Sequence, residues 1–349
     1  MIVKNHSYIL IGLSVLLLLV VIASICIGAV HIQVNQLWSM ISYHIGLSDK
    51  AEFTTQQFAV MFNLRLPRVV SGVLIGAALA VAGSAIQGLF RNPLAEPGLI
   101  GISSGATLFA ALTIVFGGKL LTLMGSTYSY YMLSVSAFIG AFITTLAVYK
   151  LAMRNGRTMI TALLLTGIAI NALAFSFTGL LTYISTDEQL RNLTFWSLGS
   201  LGGSSWLSVG SILPFILIPV LVLPFMGKSL NAIALGETQA GHMGFNVNKI
   251  KRAVLLLATM SVGASVAVAG IISFVGLVVP HIIRIGFGAD NRLVIPGSAI
   301  LGAAMLTLAD LASRTVVAPT ELPIGIVTAL AGSPVFIYMI NAQIKKQQV

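Results

Sequence analysis

The sequence predicts an all-α membrane protein of about ten transmembrane helices in two inverted halves, with both termini in the cytoplasm. Three observations predict it. Charged residues are scarce, the few charges cut the chain into membrane-length pieces, and one segment recurs 187 positions further on. Of 349 residues, 57% are hydrophobic and only 8% are charged. A water-soluble domain carries about a quarter charged residues, because its surface must be wetted. A chain this poor in charge can face lipid. Its 34 glycines suit membrane helices that pack closely through small side chains.

The uncharged stretches give the spans in order. The first, 5–48, contains an apolar run from Tyr8 to Val30. With Lys4 ahead of it the run imitates a signal peptide. It exceeds the roughly 7–15 residues of a signal core and is long enough to cross a bilayer, so it is expected to be a retained first helix. The stretches 69–90, 97–118, 120–149, 158–186, 192–227, 253–283, 293–309 and 322–344 follow. Most match the roughly 20 residues that a crossing helix needs. The stretch 253–283 is expected to hold one full helix and the start of another, broken near Gly270 and ending around Arg284. That makes ten spans, with nine as the competing count.

Orientation follows from the basic residues. With both termini inside, Lys4, Arg91, Lys150, Arg154, Arg157, Lys228, Lys249, Lys251, Arg252, Arg284, Arg292, Lys345 and Lys346 fall in cytoplasmic segments, 13 of the 19. Lys50, Arg65, Arg68, Lys119, Arg191 and Arg314 fall outside. This is the positive-inside pattern. Acids lean the other way, with Glu96, Glu237 and Asp290 inside and Asp49, Glu52, Asp187, Glu188, Asp310 and Glu321 outside.

At a shift of 187, Gly76-Ala77-x-x-Ala80-Val81-Ala82-Gly83 lies over Gly263-Ala264-x-x-Ala267-Val268-Ala269-Gly270. Arg65 falls on Arg252, Pro93 on Pro280 and Gly101 on Gly288. The segment after Arg65 is expected to run inward and the segment after Arg252 outward. The chain is therefore expected to be a single permease-like domain, 1–349, with inverted halves of roughly 60–190 and 250–349. Such repeats enclose a pathway in transporters.

Other classes of function find little support. The net charge of +10 belongs to cytoplasmic loops rather than to nucleic acid, because the only dense basic run is Lys249-Ile250-Lys251-Arg252. Cys26 is the single cysteine, which rules out a disulfide framework. The histidines His6, His31, His44, His242 and His281 show no ligand spacing. They are expected to be interfacial or hydrogen-bonded, and no metal or cofactor site is expected. No nucleophile, acid and base converge within the spans. Ion-coupled carriers usually keep an acid at mid-membrane, whereas Asp310 and Glu321 sit near outer helix ends. Gly227-Lys228-Ser229 imitates a phosphate-binding loop, but the motif needs glycine five positions earlier, where Val222 stands. The energy source is expected on another chain.

Two segments look purposeful. The cytoplasmic segment 228–252 is polar and punctuated by glycine, as suits two small helices lying on the inner face. Asn92-Pro93-Leu94-Ala95-Glu96-Pro97-Gly98 breaks helix geometry at the inner end of a span. Irregular backbone at that depth is tolerated only against protein or a water-filled cavity.

These residues resemble the permease subunits of ABC importers for iron chelates, haem and cobalamin over essentially the whole chain. The matching segments are Arg65-Leu66-Pro67-Arg68, Asn92 to Gly98, Ala234-Leu235-Gly236-Glu237, Gly276-Leu277-Val278-Val279-Pro280-His281-Ile282-Ile283-Arg284, and Glu321-Leu322-Pro323-Ile324-Gly325. The resemblance implies a homodimer with the pathway on its axis in the inner membrane of a bacterial cell. Two ATP-binding subunits would dock below it, and a periplasmic or lipid-anchored substrate-binding protein above. It implies that outward-facing Arg65, Arg68 and Arg314 receive acids of the binding protein. It also implies that Leu235, Gly236, Glu237, Ala240 and Gly244 belong to helices coupled to the ATPase. By the same resemblance, Asn92 and Leu94 match a cytoplasmic gate, and Thr161 a second constriction. The runs 166–173 and 187–203 are similar to the haem-importing branch, so haem is the expected cargo. A siderophore or cobalamin is the alternative, and an ion-coupled secondary transporter is the alternative from another class. No His or Tyr is placed as an axial ligand.

Overall fold

A computed structural model of the chain describes residues 6–47, 52–154 and 157–347, excepting the side chains of 118–130, 154, 157 and 342–347. Lys4, Asp49 and Lys50 of the orientation count lie outside the described residues, as do the side chains of Lys119, Arg154, Arg157, Lys345 and Lys346.

The helices are α1 (His6–Cys26), α2 (Val34–His44), α3 (Thr55–Val60), α4 (Leu66–Phe90), α5 (Ile102–Phe116), α6 (Gly118–Leu151), α7 (Ile160–Tyr183), α8 (Asp187–Leu198), α9 (Trp206–Val222), α10 (Gly227–Ala234), α11 (Glu237–His242), α12 (Val247–Ala269), α13 (Val275–Phe287), α14 (Asn291–Thr315) and α15 (Ile324–Gln347). A π-helical turn, Met61–Arg65, joins α3 to α4, and a two-residue β-ladder closes the turn between α6 and α7. Among the described residues, eight helical stretches are long and apolar enough to cross a membrane, and the shorter apolar helices α5 and α13 bring the total to ten. The short helices α2, α3 and α8 were not anticipated. Their polar or mixed composition carries no span signal.

α4 is the centre of the fold and is buried along almost its full length. Small residues let other backbones approach it. It runs antiparallel to α14, with Gly72 facing Thr307, Gly76 facing Gly302 and Gly88 facing Asn291. On another side Gly83 lies against the carbonyl of Gly276 in α13, where any side chain would overlap it. α1 runs parallel to α14, since Leu13 meets Gly297 and Ser24 meets Arg314. α5 and α6 close on each other through Gly105 and Gly140.

The inversion is visible in which ends meet. The segment entering α4 meets the start of α9, just past the loop after α8, where Phe62 accepts a hydrogen bond from Trp206 at 2.9 Å. The last residue of α12 meets the same loop, where Ser200 N–H donates to the Ala269 carbonyl at 2.8 Å. α4 therefore begins where α12 ends, and the two central helices are antiparallel. Their equivalence stops short of the full alignment. α4 continues to Phe90, whereas α12 stops at Ala269 because Gly270 turns away with φ of 69° against the carbonyl of Trp196. The aligned prolines also differ: Pro93 lies in a loop and Pro280 inside α13. The expected break near Gly270 is present. α13, at 13 residues, rises only about 20 Å and covers part of the bilayer, with residues 270–274 completing the path as irregular backbone.

Candidate functional site

At the outer end, Arg65, Arg68 and Arg314 converge, but their side chains do not face outward. Arg65 is only 6% exposed. Its guanidinium donates to the carbonyls of Ile25, Cys26 and Val30, which closes off the C-terminal end of α1. A cation suits the negative end of a helix dipole. Arg68 grips Asp310 through Nε at 2.9 and 3.1 Å, and its Nη1 reaches Glu321 at 2.8 Å. Arg314 donates to the backbone and hydroxyl of Ser24, and its Nε lies 3.7 Å from Asp310. Of the five charged groups only Glu321 is substantially exposed, at 45% of its side chain. Their enclosure has a physical reason. Desolvating a guanidinium is costly unless oxygen acceptors surround it, and the helix ends supply them. Asp310, the acid nearest to an ion-coupling position, is held by Arg68 and flanked by Arg314.

At the opposite end the segment 228–252 forms the two small helices expected, α10 and α11. Gly236 turns between them with φ of 127°, and Gly244 ends the second with φ of 86°. Glycine is favoured at such angles. Ala240 is buried, while Leu235 projects into open space at 67% exposure. Glu237 accepts from Lys251 Nζ at 2.7 Å, and the same Nζ donates to the carbonyl of Thr158 at 2.6 Å. Lys251 is 1% exposed. On the other side Asn231 of α10 donates to Asp290 at 2.7 Å and accepts from the Asn291 backbone at 2.9 Å. The Arg292 guanidinium beside Asp290 holds that carboxyl well below the usual carboxylate range, against the opposing effect of burial. The pair α10 and α11 is thus fastened to α12 and to α14.

Asn92 and Leu94 lie in the loop after α4, both exposed. Asn92 accepts from the backbone of Leu94 at 2.9 Å, which fixes the turn. Thr161 is exposed in the first turn of α7. The elements that carry these three residues are tied together by Asn171 of α7, whose amide donates to Gly98 O at 3.0 Å and accepts from Ser104 at 2.5 Å. A cavity of about 370 Å³ beside Asn92 is lined by Arg91, His281, Arg284 and Asn291. His281 is buried, and its Nδ1 has no hydrogen-bond partner among the described residues. α7 leaves Leu165, Ile168, Leu173, Phe175, Phe177 and Leu180 bare.

Sequence reasoning passed over Lys251, Asn231 and Asn171 as individual functional residues. Lys251 was hidden in the basic run, and the two asparagines have no signal beyond being polar near apolar helices. Among the described residues no group of three His, Cys, Asp or Glu side chains comes together to hold a metal ion.

Residues 16–342 match the FecCD transport family. The chain is 42% identical over 332 residues to the hemin transport system permease protein HmuU of Yersinia pestis, covering 95% of this chain and 94% of that protein. It is 39% identical to the vitamin B12 import system permease protein BtuC of Vibrio vulnificus (strain CMCP6), covering 89% and 91%. Among solved structures it resembles an inward-facing metal-chelate type ABC transporter with a TM-score of 0.83 at 30% identity, covering 96% of this chain and 99% of that one.

Proposed function

We propose, from the premise that the chain belongs to the FecCD transport family, that it is the membrane permease of an ABC importer for haem or another iron chelate. The observation that carries the cargo is the 42% identity to a hemin permease along nearly the whole chain. ATP hydrolysis belongs to two partner subunits, and a periplasmic or lipid-anchored substrate-binding protein delivers the cargo. The importer sits in the inner membrane of a bacterial cell. A cobalamin permease is the second reading, favoured by 39% identity to a vitamin B12 permease. An ion-coupled carrier is disfavoured because Arg68 already neutralises Asp310.

Two copies form the pathway, with the bare face of α7 turned toward the axis. The single domain spans 1–349, with inverted halves of roughly 60–190 and 250–349 and a coupling segment at 228–252. Leu235, Gly236, Glu237, Ala240 and Gly244 shape the helix that enters a cleft of each ATPase. Leu235 supplies an exposed apolar knob there. Movement of α11 passes through Glu237 and Lys251 to Thr158 and on to Thr161 at the head of α7. Asn92 and Leu94 narrow the same exit. At the outer end the binding protein docks over Arg65, Arg68 and Arg314. Three cations against Asp310 and Glu321 leave that corner with excess positive charge, which steers an acidic lobe into register more than it adds affinity.

The test is to isolate the substrate-binding protein that works with this permease and to identify its ligand. Haem or an iron chelate is the expected ligand. Cobalamin would turn the cargo to the second reading.

A further inference from the structure

α12 begins with charges that oppose its own dipole. Lys249, Lys251 and Arg252 lie in its first two turns, where free backbone amides already gather positive charge, and no acid stands in the first turn. Glu237 answers Lys251 alone. Among the described residues neither Lys249 nor Arg252 forms an ion pair. The Arg252 side chain instead meets the Tyr149 hydroxyl of α6, which accepts from Nε at 2.7 Å. That bond orients the guanidinium and leaves its two terminal nitrogens for another acceptor.

A groove of about 120 Å³ begins at this pair and runs along the seam of α6 and α12, past Thr145, Leu146, Leu255 and Leu256. Leu146 and Leu256 are each about half exposed, so the groove opens sideways on the apolar flank. One polar group interrupts it. Thr145 is buried, and its hydroxyl has no hydrogen-bond partner among the described residues. It lies one helical turn, about 6 Å, beyond Tyr149 along α6.

We propose that this groove is a binding site for one anionic phospholipid of the cytoplasmic leaflet. The lipid phosphate accepts from the free nitrogens of Arg252, with Lys249 adding positive charge nearby. An ester carbonyl about a turn deeper accepts from the Thr145 hydroxyl, and an acyl chain follows Leu146, Leu255 and Leu256. Charge at one end only, a single orphan donor below it and an apolar floor beyond match the order of phosphate, ester and chain in a lipid. Basic pockets between helices on the cytoplasmic side favour anionic headgroups for the same reason. The site depends on the orientation of α12 and is independent of the cargo.

The test is native mass spectrometry of the purified full chain in detergent, offered equal amounts of phosphatidylglycerol and phosphatidylethanolamine. The wild type should retain phosphatidylglycerol in about fivefold preference. Arg252→Gln should bring the ratio to parity while melting as the wild type does in zwitterionic lipid. Tyr149→Phe, which keeps every charge, should reduce the preference partway, and Thr145→Val should weaken retention of both lipids without changing the ratio. If Arg252→Gln does not fold, Lys249→Gln and Tyr149→Phe carry the comparison. Equal retention by the wild type, or an unchanged preference in the Arg252 or Tyr149 variants, would overturn the site. So would efficient crosslinking of Leu146→Cys between two copies in the membrane, because a second copy would then fill the groove.

Discussion

Lys251 holds the carboxylate of Glu237 and the carbonyl of Thr158 with a single buried ammonium, at 2.7 and 2.6 Å. One partner is on α11 and the other on the turn that leads into α7. A buried cation cannot easily release either acceptor, since an unpaired charge in that setting is costly. The link therefore resists being pulled apart.

Lys251→Met should uncouple the importer. In the assembled complex, ATP hydrolysis should persist while transport per ATP falls about tenfold, as expected for loss of roughly 1.4 kcal/mol of coupling. The double variant Lys251→Met with Glu237→Gln should recover stability, because it removes both charges, without recovering transport. Unchanged transport per ATP in the single variant would remove Lys251 from the transmission path.

Glu321 occupies Arg68 from an exposed loop, so it competes with any acid that a docking protein brings. Glu321→Gln should tighten binding of the substrate-binding protein by about twofold to fivefold, in line with an exposed ion pair. Surface-bound permease titrated with that protein would read the change. Weaker binding would mean that Glu321 assists docking.

Arg65→Glu should act differently from a change at a free docking residue. The acid would face the carbonyls of Ile25, Cys26 and Val30 and lower stability by about 3 kcal/mol or more. Unfolding in detergent would show it as a lower melting temperature before any docking is measured. Wild-type stability with impaired docking would instead return Arg65 to a surface role.

Gly83→Ala places a methyl group on the carbonyl of Gly276 and should cost about 3 kcal/mol, the upper range for overpacking. Gly210→Ala in α9, with open space around it, should change stability by about 0.5 kcal/mol or less. Equal effects at the two sites would contradict the tight crossing of α4 and α13.

Asp290 ties α10 to α14 with a carboxyl held low by Arg292 and Asn231. Its depressed value means that its stabilisation is present above the ordinary carboxylate range and is lost only as pH falls below it. Acidification to about pH 5 should leave the tie intact, whereas Asp290→Asn should loosen α10 at every pH. Hydrogen exchange over 227–234 would measure both.

Much of the fold was legible because spans are a matter of composition. The break at Gly270, the two short helices α10 and α11, and the inversion of α4 against α12 all follow from glycine placement and uncharged length. The outer corner was harder to read. Arg65, Arg68 and Arg314 look alike as charges near span ends, and nothing local indicates that one seals a helix end while another is shared by two acids 242 and 253 positions away. Lys251 stood in a run of cations, and its burial depends on α11 folding back over α12. Contacts that close over such distances depend on packing, which periodicity does not encode.

The most direct measurement is uptake of haem into proteoliposomes containing the permease, its ATP-binding subunits and external haem-loaded binding protein, with ATP inside. Accumulation should require all three components and should stop when the ATPase is inactivated. Accumulation by the permease alone on a proton or sodium gradient would contradict the account.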